Sequence, residues 1–381
     1  MKKPEGALTA EAEAIPDPFA PRLNPDLVGH EAAEMGLVRL ARAGRLPHAI
    51  LIGGPRGVGK ATLAFRLARW LLAGKDEVPH TPGLFGLPPA GADDGQDDRL
   101  EVDPGDPAAR RIAAGSHADL LTIERGWDPK RKKLRGEIVV DDVREVAAFL
   151  RLTAAEGRWR IVLLDSADDM NRNAANALLK VLEEPPRQAL LLIVCHEPGR
   201  LLPTIRSRCR RVMLPALPDE TVARLLRQRL PDLPPQEMAS LARMAEGSPG
   251  RALGLAASGG LDLYRELLAL LGSLPRLDGL ALHRLGDRVA RADGEEVLTL
   301  LAELLDSFMT AMVTGAARGD FAERIQGETG VMRALAARAR LDQWVEVWEN
   351  QGRLFRQADG LNLDRKQIVL DVFLALAALA R

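Results

Sequence analysis

The sequence lacks an excess of charge of either sign, because 52 lysines and arginines nearly balance 53 aspartates and glutamates. A nearly neutral chain has no overall positive field that would hold nucleic acid non-specifically. Any contact with nucleic acid must therefore be local or shared with a partner protein.

Cysteine is nearly absent, since the 381 residues contain only Cys195 and Cys209. Two thiols cannot supply a four-cysteine zinc site, and they suit a reducing cytoplasm better than a secreted, disulfide-bonded fold. The sequence also lacks an uninterrupted apolar run of the roughly 18 residues that a membrane span needs. Residues 1–20 are acidic and contain proline, unlike a signal peptide. We predict a cytoplasmic protein without a membrane segment, with residues 1–20 as a flexible leader.

A phosphate-loop motif is present between a predicted strand and a predicted helix. The apolar run at residues 49–52 predicts a buried strand, and residues 54–60 then match G-x-x-x-x-G-K. Apolar residues at helical spacing follow, and Gly74 is a suitable helix end. In this motif glycines let backbone N–H groups face phosphate, and the lysine reaches the outer phosphates. The residues assigned to a nucleotide site by this motif are Gly54, Gly57, Gly59 and Lys60.

Two positions of this nucleotide site depart from what ATP hydrolysis requires. Ala61 stands where the motif has a magnesium-binding serine or threonine, and Thr62 is rotated from that direction by ~100° around the helix axis. Asp165 ends a predicted strand as expected, although a turn or N-cap role suits it equally. Ser166 follows where a hydrolysing enzyme has glutamate, and a neutral hydroxyl cannot activate water as a carboxylate does. We expect little or no intrinsic ATPase.

The order of predicted elements indicates an α/β fold followed by helices. Strands that are apolar on both faces and alternate with helices predict a parallel sheet covered on both sides. Residues 75–110 are rich in proline, glycine and aspartate, which indicates a surface insertion. Beyond Pro215 only helical patterns remain. The predicted domains are a P-loop α/β domain at 21–215, a small helical lid at 216–260 and an all-α domain at 261–381.

Several motifs resemble one family. Residues 27–30 (Leu-Val-Gly-His) resemble a segment that flanks the adenine, residues 176–186 are similar to a signature helix, and residues 207–209 form a Ser-Arg-Cys triplet. On these motifs the chain resembles the bacterial clamp-loader branch of the AAA+ superfamily, and within it the delta-prime family. The resemblance covers nearly the whole chain and is strongest at residues 27–215.

The resemblance implies that Arg208, in the Ser-Arg-Cys triplet, is an arginine finger that enters the ATP site of a neighbouring subunit. A guanidinium suits this role because its planar, permanent charge matches phosphate oxygens and can be supplied in trans. Without the family motif, the cluster of Arg206, Arg208, Arg210 and Arg211 would be interpreted as a solvated basic edge. Arg251 resembles a second sensor arginine at a displaced spacing, and a solvated helix-start role suits it equally.

The resemblance also implies a hetero-oligomeric loader in which the C-terminal helices join a collar. The expected partners are gamma or tau and delta subunits, with the sliding clamp and primer-template DNA reached through the complex. The alternative is an active, gamma-like ATPase in which Lys60, Thr62 and Asp165 hold ATP and magnesium. A second alternative is a DNA-binding module that uses residues 130–133 (Lys-Arg-Lys-Lys), although a solvated loop without interleaved aromatics fits that run better.

The sequence departs from the family at the position of its four-cysteine zinc module. The corresponding interval is the acidic insertion, which contains no cysteine. His80 and His117 are the nearby histidines, and two imidazoles without thiolates suit turns or caps better than zinc. We therefore predict no metal site.

Overall fold

The computed structural model describes residues 20–76, 99–128, 133–156, 159–186, 188–291, 294–361 and 364–381. The chain forms two compact units. The first contains the residues up to Thr221 together with Ser248–Gly250, and the second contains Val222–Gly247 and Arg251–Arg381. The predicted leader lies outside the described residues except for Ala20, and so do residues 77–98 of the predicted insertion.

A parallel sheet lies at the centre of the first unit. Its strands are ordered β2-β5-β6-β1-β7 within the described part of the chain, and a separate antiparallel pair is formed by β3 and β4. The strands in chain order are β1 (Ala49–Gly53), β2 (Leu120–Ile123), β3 (Trp127–Asp128), β4 (Lys133–Leu134), β5 (Arg160–Leu164), β6 (Ala189–Cys195) and β7 (Arg210–Met213). This topology confirms the predicted α/β fold.

The sheet is buried on both faces because helices cover it. On one face of the sheet, Leu51 belongs to an apolar cluster that also contains residues of α4 and α5. Ile50 and Ile52 point to the opposite face and are also fully buried. Helix α2 packs on β1, β5 and β6. The helices of this unit are α1 (Glu31–Arg42), α2 (Lys60–Leu72), α3 (Pro107–Ala113), α4 (Val140–Leu150), α5 (Arg172–Glu183) and α6 (Pro203–Arg208).

The second unit is built from helices joined by loops, with no strand among its described residues, and α9 begins with two residues of the first unit, Pro249 and Gly250. Its helices are α7 (Asp219–Arg229), which begins in the first unit, α8 (Pro235–Met244), α9 (Pro249–Ala257), α10 (Gly260–Gly272), α11 (Gly279–Val289), α12 (Gly294–Arg318), α13 (Glu328–Ala336), α14 (Leu341–Leu361) and α15 (Arg365–Leu379). Helix α15 packs against α11 and α14. The apolar stripe of α15 is buried within this unit, with Val369, Val372 and Phe373 at 0% exposure.

Helix α12 is, among the described residues, long and apolar enough to cross a membrane by length and composition. Its inward face nevertheless belongs to the helical core. Leu301, Phe308 and Met312 are fully buried, and α12 packs against α10, α11, α13 and α14. The same length and composition occur in the central helix of a bundle.

Three elements differ from the sequence predictions. Strand β7 and helix α6 were not predicted, and helix α3 begins inside the interval predicted to be a surface insertion and ends beyond it. The end of that interval is packed, because Leu100 is 1% exposed and Ala108 is 5% exposed. The basic run at residues 130–133, interpreted above as a solvated loop, ends in β4 at Lys133, and its other residues lie outside the described part of the chain. The division of the helical region into a lid and a collar stays a prediction.

Candidate nucleotide site

The phosphate loop joins the carboxyl end of β1 to the first turn of α2. Gly54, Gly57 and Gly59 have φ angles of 145°, 77° and 111°, which side-chain-bearing residues rarely adopt. A Cβ atom on Gly54 would lie 2.2 Å from the carbonyl oxygen of Leu214, so a side chain there is excluded by close packing as well. The three glycines assigned from the sequence are therefore required by the backbone of the loop.

Lys60 begins α2 and lies inside the loop. Its side chain is 3% exposed, and Nζ donates to the carbonyl oxygens of Gly54 at 2.7 Å and Pro55 at 2.6 Å. Burial lowers the pKa of Lys60 to about 8, and the nearby charges of Asp168 and Asp165 oppose that shift. To bind phosphate, the ammonium group must exchange the loop carbonyls for phosphate oxygens.

Two other segments of the first unit pack on the loop. The ring Nε2 of His30 donates to the carbonyl oxygen of Val58 at 3.0 Å, which brings residues 27–30 beside the loop. Burial lowers the pKa of His30. On another side, Ser248 Oγ donates to Arg56 O at 2.6 Å and Gly250 N–H donates to Gly57 O at 2.9 Å. Loop carbonyls are thus hydrogen-bonded by protein donors.

The contact of Gly250 with the loop leaves no space for a side chain. A Cβ atom at this position would lie 2.9 Å from the Cα atom of Gly57. The family resemblance singles out Arg251 in this segment, yet the residues that contact the loop are Ser248 and Gly250. Arg251 forms an ion pair with Glu246 at 3.2 Å in the second unit.

Asp165 follows β5, and its N–H donates to Ile123 O at 2.8 Å. Burial raises the pKa of this carboxyl, and the charge of Glu124 raises it further. Ser166, at φ 57°, is the residue that precedes the short 3₁₀ helix Ala167–Asp169. The charge of Lys60 lowers the pKa of Asp165, and the charge of Asp165 raises the pKa of Lys60, although burial has the larger effect on both groups.

Sequence reasoning missed His196 and Asp168 at this end of the sheet. His196 follows β6, and its ring Nε2 lies 3.1 Å from Ser166 Oγ. The backbone N–H of His196 donates to Asp168 Oδ1 at 3.0 Å. Burial lowers the pKa of His196, and the charge of Lys60 lowers it further. Burial would raise the pKa of Asp168, but hydrogen bonds, chiefly from the N–H of His196, lower it overall. A polar residue after a buried parallel strand was the available signal.

The chemistry of these residues fits phosphate better than magnesium. Lys60 supplies a cation and the loop adopts the expected glycine conformations, whereas Ala61 carries no ligand oxygen and Thr62 is 7% exposed at the next position of α2. Ser166 contacts a histidine whose pKa is lowered, and neither group replaces the missing glutamate as a carboxylate. The site can hold phosphate groups but lacks parts that hydrolysis uses.

Arg208 contacts residues of α5 and α6, not residues of the phosphate loop. It ends α6, its Nη2 pairs with Glu183 Oε1 at 2.9 Å, and its Nη1 donates to Thr204 O at 3.1 Å. Its side chain is 37% exposed. Glu183 ends α5, the helix that resembles the family signature. The Ser-Arg-Cys triplet and the signature-like helix α5 therefore meet at the surface, where the guanidinium of Arg208 remains accessible.

Of the remaining histidines and cysteines that could bind a metal, those that the structure describes have structural roles instead. His117 Nδ1 accepts the N–H of Asp119 at 3.1 Å in the turn before β2, which matches a turn role, while His80 lies outside the described residues. Cys195 and Cys209 are free and buried, and burial raises their pKa values to about 12 and about 11. Within the described ranges, no group of three or more His, Cys, Asp or Glu side chains is arranged to hold a metal ion.

The sheet order and the phosphate loop after the strand β1 define the class of this protein. A parallel sheet ordered β2-β5-β6-β1-β7, with the loop between β1 and α2, is a P-loop α/β domain of the AAA+ type. The helical unit that follows agrees with the predicted architecture.

Comparison with known proteins identifies the family that the chain resembles. A family model described as DNA polymerase III, delta subunit, matches residues 94–218. The chain is 37% identical over 202 residues to DNA polymerase III subunit delta' of Pseudomonas aeruginosa, covering 53% of each chain. It is 33% identical over 223 residues to the delta' subunit of Escherichia coli, covering 58% of this chain and 57% of that one.

The tau subunit of Escherichia coli DNA polymerase III is also similar, at 30% identity over 294 residues, which are 75% of this chain and 41% of tau. The chain thus spans about half the length of the curated relatives it matches. The predicted resemblance to the bacterial AAA+ clamp-loader family and its delta-prime members is confirmed.

Proposed function

We propose that this chain is a delta-prime-like subunit of a DNA polymerase III clamp loader, which helps to load the sliding clamp onto primed DNA. The observation that carries the proposal is Arg208, a surface guanidinium fixed by Glu183 next to the signature-like helix. In this role Arg208 enters the ATP site of a neighbouring subunit and stabilises the charge that develops on the transferred phosphoryl group.

The chain's own nucleotide site supports a partner role over a motor role. Ala61 cannot ligate magnesium through its side chain, and Ser166 cannot serve as the carboxylate that positions attacking water. Lys60 is held by the loop's own carbonyl oxygens. Hydrolysis in the complex would therefore depend on neighbours, with this chain providing Arg208.

The proposed partners follow from the same family. Gamma or tau and delta subunits would complete the loader, and the helical unit would contribute to the collar that joins them. Contact with the clamp and with primer-template DNA would occur through the complex, in the cytoplasm. The gamma-like alternative is favoured by one observation, the proximity of Lys60 and Asp165, which retains two parts of an active site.

The test uses Arg208→Ala in a clamp loader reconstituted with gamma or tau and delta subunits. DNA-dependent ATP turnover at the adjoining site should fall by about 10³-fold or more, because that is the usual worth of an arginine finger. Arg208→Lys should restore little, since an ammonium lacks the planar fork. Assembly should survive, because the exposed pair with Glu183 contributes only about 0–1 kcal/mol to stability.

Arg210→Ala is the matched control, because Arg210 is an exposed arginine on the adjacent edge strand β7. It should leave turnover unchanged. Unchanged turnover in Arg208→Ala, with normal assembly, would refute the arginine-finger role. Substantial ATP turnover by the isolated chain, abolished by Lys60→Ala, would instead establish the gamma-like alternative.

A further inference from the structure

We propose that Ser248 and Gly250 are positioning residues of the phosphate loop, which fix its backbone so that its N–H groups receive the phosphate groups of a polyphosphate ligand. The inference goes beyond the proposed function, because it concerns this chain's own loop and not the site of a neighbouring subunit. It is also separate from a sensor arginine, since the contacts come from a hydroxyl and a backbone N–H and not from Arg251.

The carbonyl oxygens of five successive residues, 54–58, accept hydrogen bonds from protein donors. Lys60 serves the first two of these oxygens, and it must leave them when it turns to a phosphate group. Ser248 Oγ, Gly250 N–H and His30 Nε2 serve the other three. These three donors lie outside the loop, so they can stay in place while phosphate binds.

Holding the loop carbonyl groups on one side turns the backbone N–H groups to the other. The C=O and N–H of one trans peptide point in opposite directions. Because Arg56 O accepts the Ser248 hydroxyl, the N–H of Gly57 points away from Ser248. Gly57 lies in the left-handed region at φ 77°, and successive N–H groups around such a residue form an anion-binding concavity. The contacts therefore favour the backbone conformation that presents N–H groups to phosphate.

The residue types at positions 248 and 250 fit this role. A Cβ atom on Gly250 would lie 2.9 Å from Cα and 3.0 Å from O of Gly57, so a side chain would prevent the close approach of its N–H. Ser248 is 2% exposed, and its hydroxyl lies 2.6 Å from Arg56 O. Removing the hydroxyl leaves this carbonyl oxygen without its donor, which favours another backbone conformation. Both residues belong to the same compact unit as the loop.

The test measures the affinity of the full chain for inorganic tripolyphosphate by isothermal titration calorimetry, with EDTA present to exclude metal ions. The wild type should bind, and Lys60→Met should not bind detectably, because the ammonium group is lost. Ser248→Ala should weaken binding by about tenfold, the upper end of what one hydrogen bond contributes. Gly250→Ala should weaken binding at least as much, because its methyl group displaces Gly57.

Gly254→Ala is the matched control, because it makes the same substitution on the same helix, α9, and its methyl group meets nothing within 4 Å. It should bind tripolyphosphate as the wild type does. Hydrogen exchange supplies a readout that a loss of packing alone would not change. Saturating tripolyphosphate should protect the backbone N–H groups of residues 56–61 in the wild type and in Gly254→Ala, and should protect them less in Ser248→Ala.

Equal affinity of the wild type and Ser248→Ala would overturn the inference, as would an absence of tripolyphosphate binding by the wild type or an equal loss in Gly254→Ala. Lower stability of Gly250→Ala in urea, with unchanged affinity of its folded form, would likewise overturn it, because Gly250 would then serve packing alone. None of these outcomes bears on the proposed function, because ATP turnover with Arg208→Ala is measured at the site of a neighbouring subunit.

Discussion

At the scale of single residues, Lys60 determines what the nucleotide site can do. Its ammonium group is nearly enclosed and donates hydrogen bonds to two carbonyl oxygens of the phosphate loop. A bound phosphate group would compete with these carbonyl oxygens for the ammonium group. A buried cation is costly because burial disfavours the charged form, and Asp165 and Asp168 only partly compensate. The folded chain therefore holds the proton on Lys60 less tightly than the unfolded chain does.

This difference predicts a pH dependence of stability. The pKa of Lys60 falls from 10.5 to about 8 on folding, so between these values the unfolded state binds more protons and stability rises with pH. The cost of burying the charge is fully present below about pH 8 and is gone above about pH 10.5. The free energy of unfolding of the wild type, relative to Lys60→Met, should therefore increase from pH 8 towards pH 10.

Urea unfolding of both proteins at several pH values measures this difference and cancels the titration of all other groups. A relative free energy that stays constant across the window would show that the pKa of Lys60 is not lowered. A relative decrease would reverse the sign of the effect and contradict the burial of Lys60.

Most residues of the phosphate loop could be predicted because the loop is local in sequence. Three glycines and Lys60 are needed within seven positions, so the motif alone assigns them. His196 and Ser248 could not be assigned in that way, since they reach the loop region only when distant segments pack together. The left-handed conformation of Ser166 was equally hidden, because serine carries no preference for it.

At the scale of elements, the helical unit contains a buried ionic cluster that joins α10 to α13. Arg324 Nε donates to Glu328 Oε1 at 2.8 Å, and Tyr264 contacts both residues. The other carboxylate oxygen of Glu328 accepts the backbone N–H of Arg324 at 2.7 Å. Burial raises the pKa of Tyr264, so its hydroxyl stays protonated as a donor. Glu246 lies 3.7 Å from Arg324 as a second, half-exposed carboxylate.

We predict that Glu328→Ala destabilises the protein by up to about 3–5 kcal/mol, because it leaves the buried guanidinium of Arg324 with only the more distant carboxylate of Glu246, at 3.7 Å. Glu237→Ala is the control, since the pair of Glu237 with Arg265 is partly exposed and should contribute no more than about 1 kcal/mol. Urea unfolding followed by circular dichroism compares the two variants. Equal losses would contradict the predicted weight of the buried cluster.

The elements that could be predicted are those with a regular apolar pattern. Strands β1, β5 and β6 are apolar at nearly every position, and the long helices carry apolar stripes. Strand β7 could not be predicted, because its residues are largely exposed and it forms through pairing with β1. Helix α3 did have a signal, since Asp106 caps it and Pro107 occupies its first turn, but the surrounding composition obscured it.

At the scale of the whole molecule, the chain combines an AAA+ P-loop unit with a helical unit and resembles DNA polymerase III clamp-loader subunits. Its nucleotide site retains the phosphate loop and loses two groups that hydrolysis uses, while Arg208 remains accessible at the surface. Under the proposed function, Arg208 would complete the ATP site of a neighbouring subunit in an assembled clamp loader.

The most direct measurement is ATP-dependent loading of the sliding clamp onto primed DNA by a clamp loader assembled from gamma or tau and delta subunits, with and without this chain. We expect loading to require the chain and the chain to elute with the assembled loader. The Arg208→Ala variant should assemble but should not support loading. Equal loading with and without the chain, or failure of the chain to join the other subunits, would contradict the account.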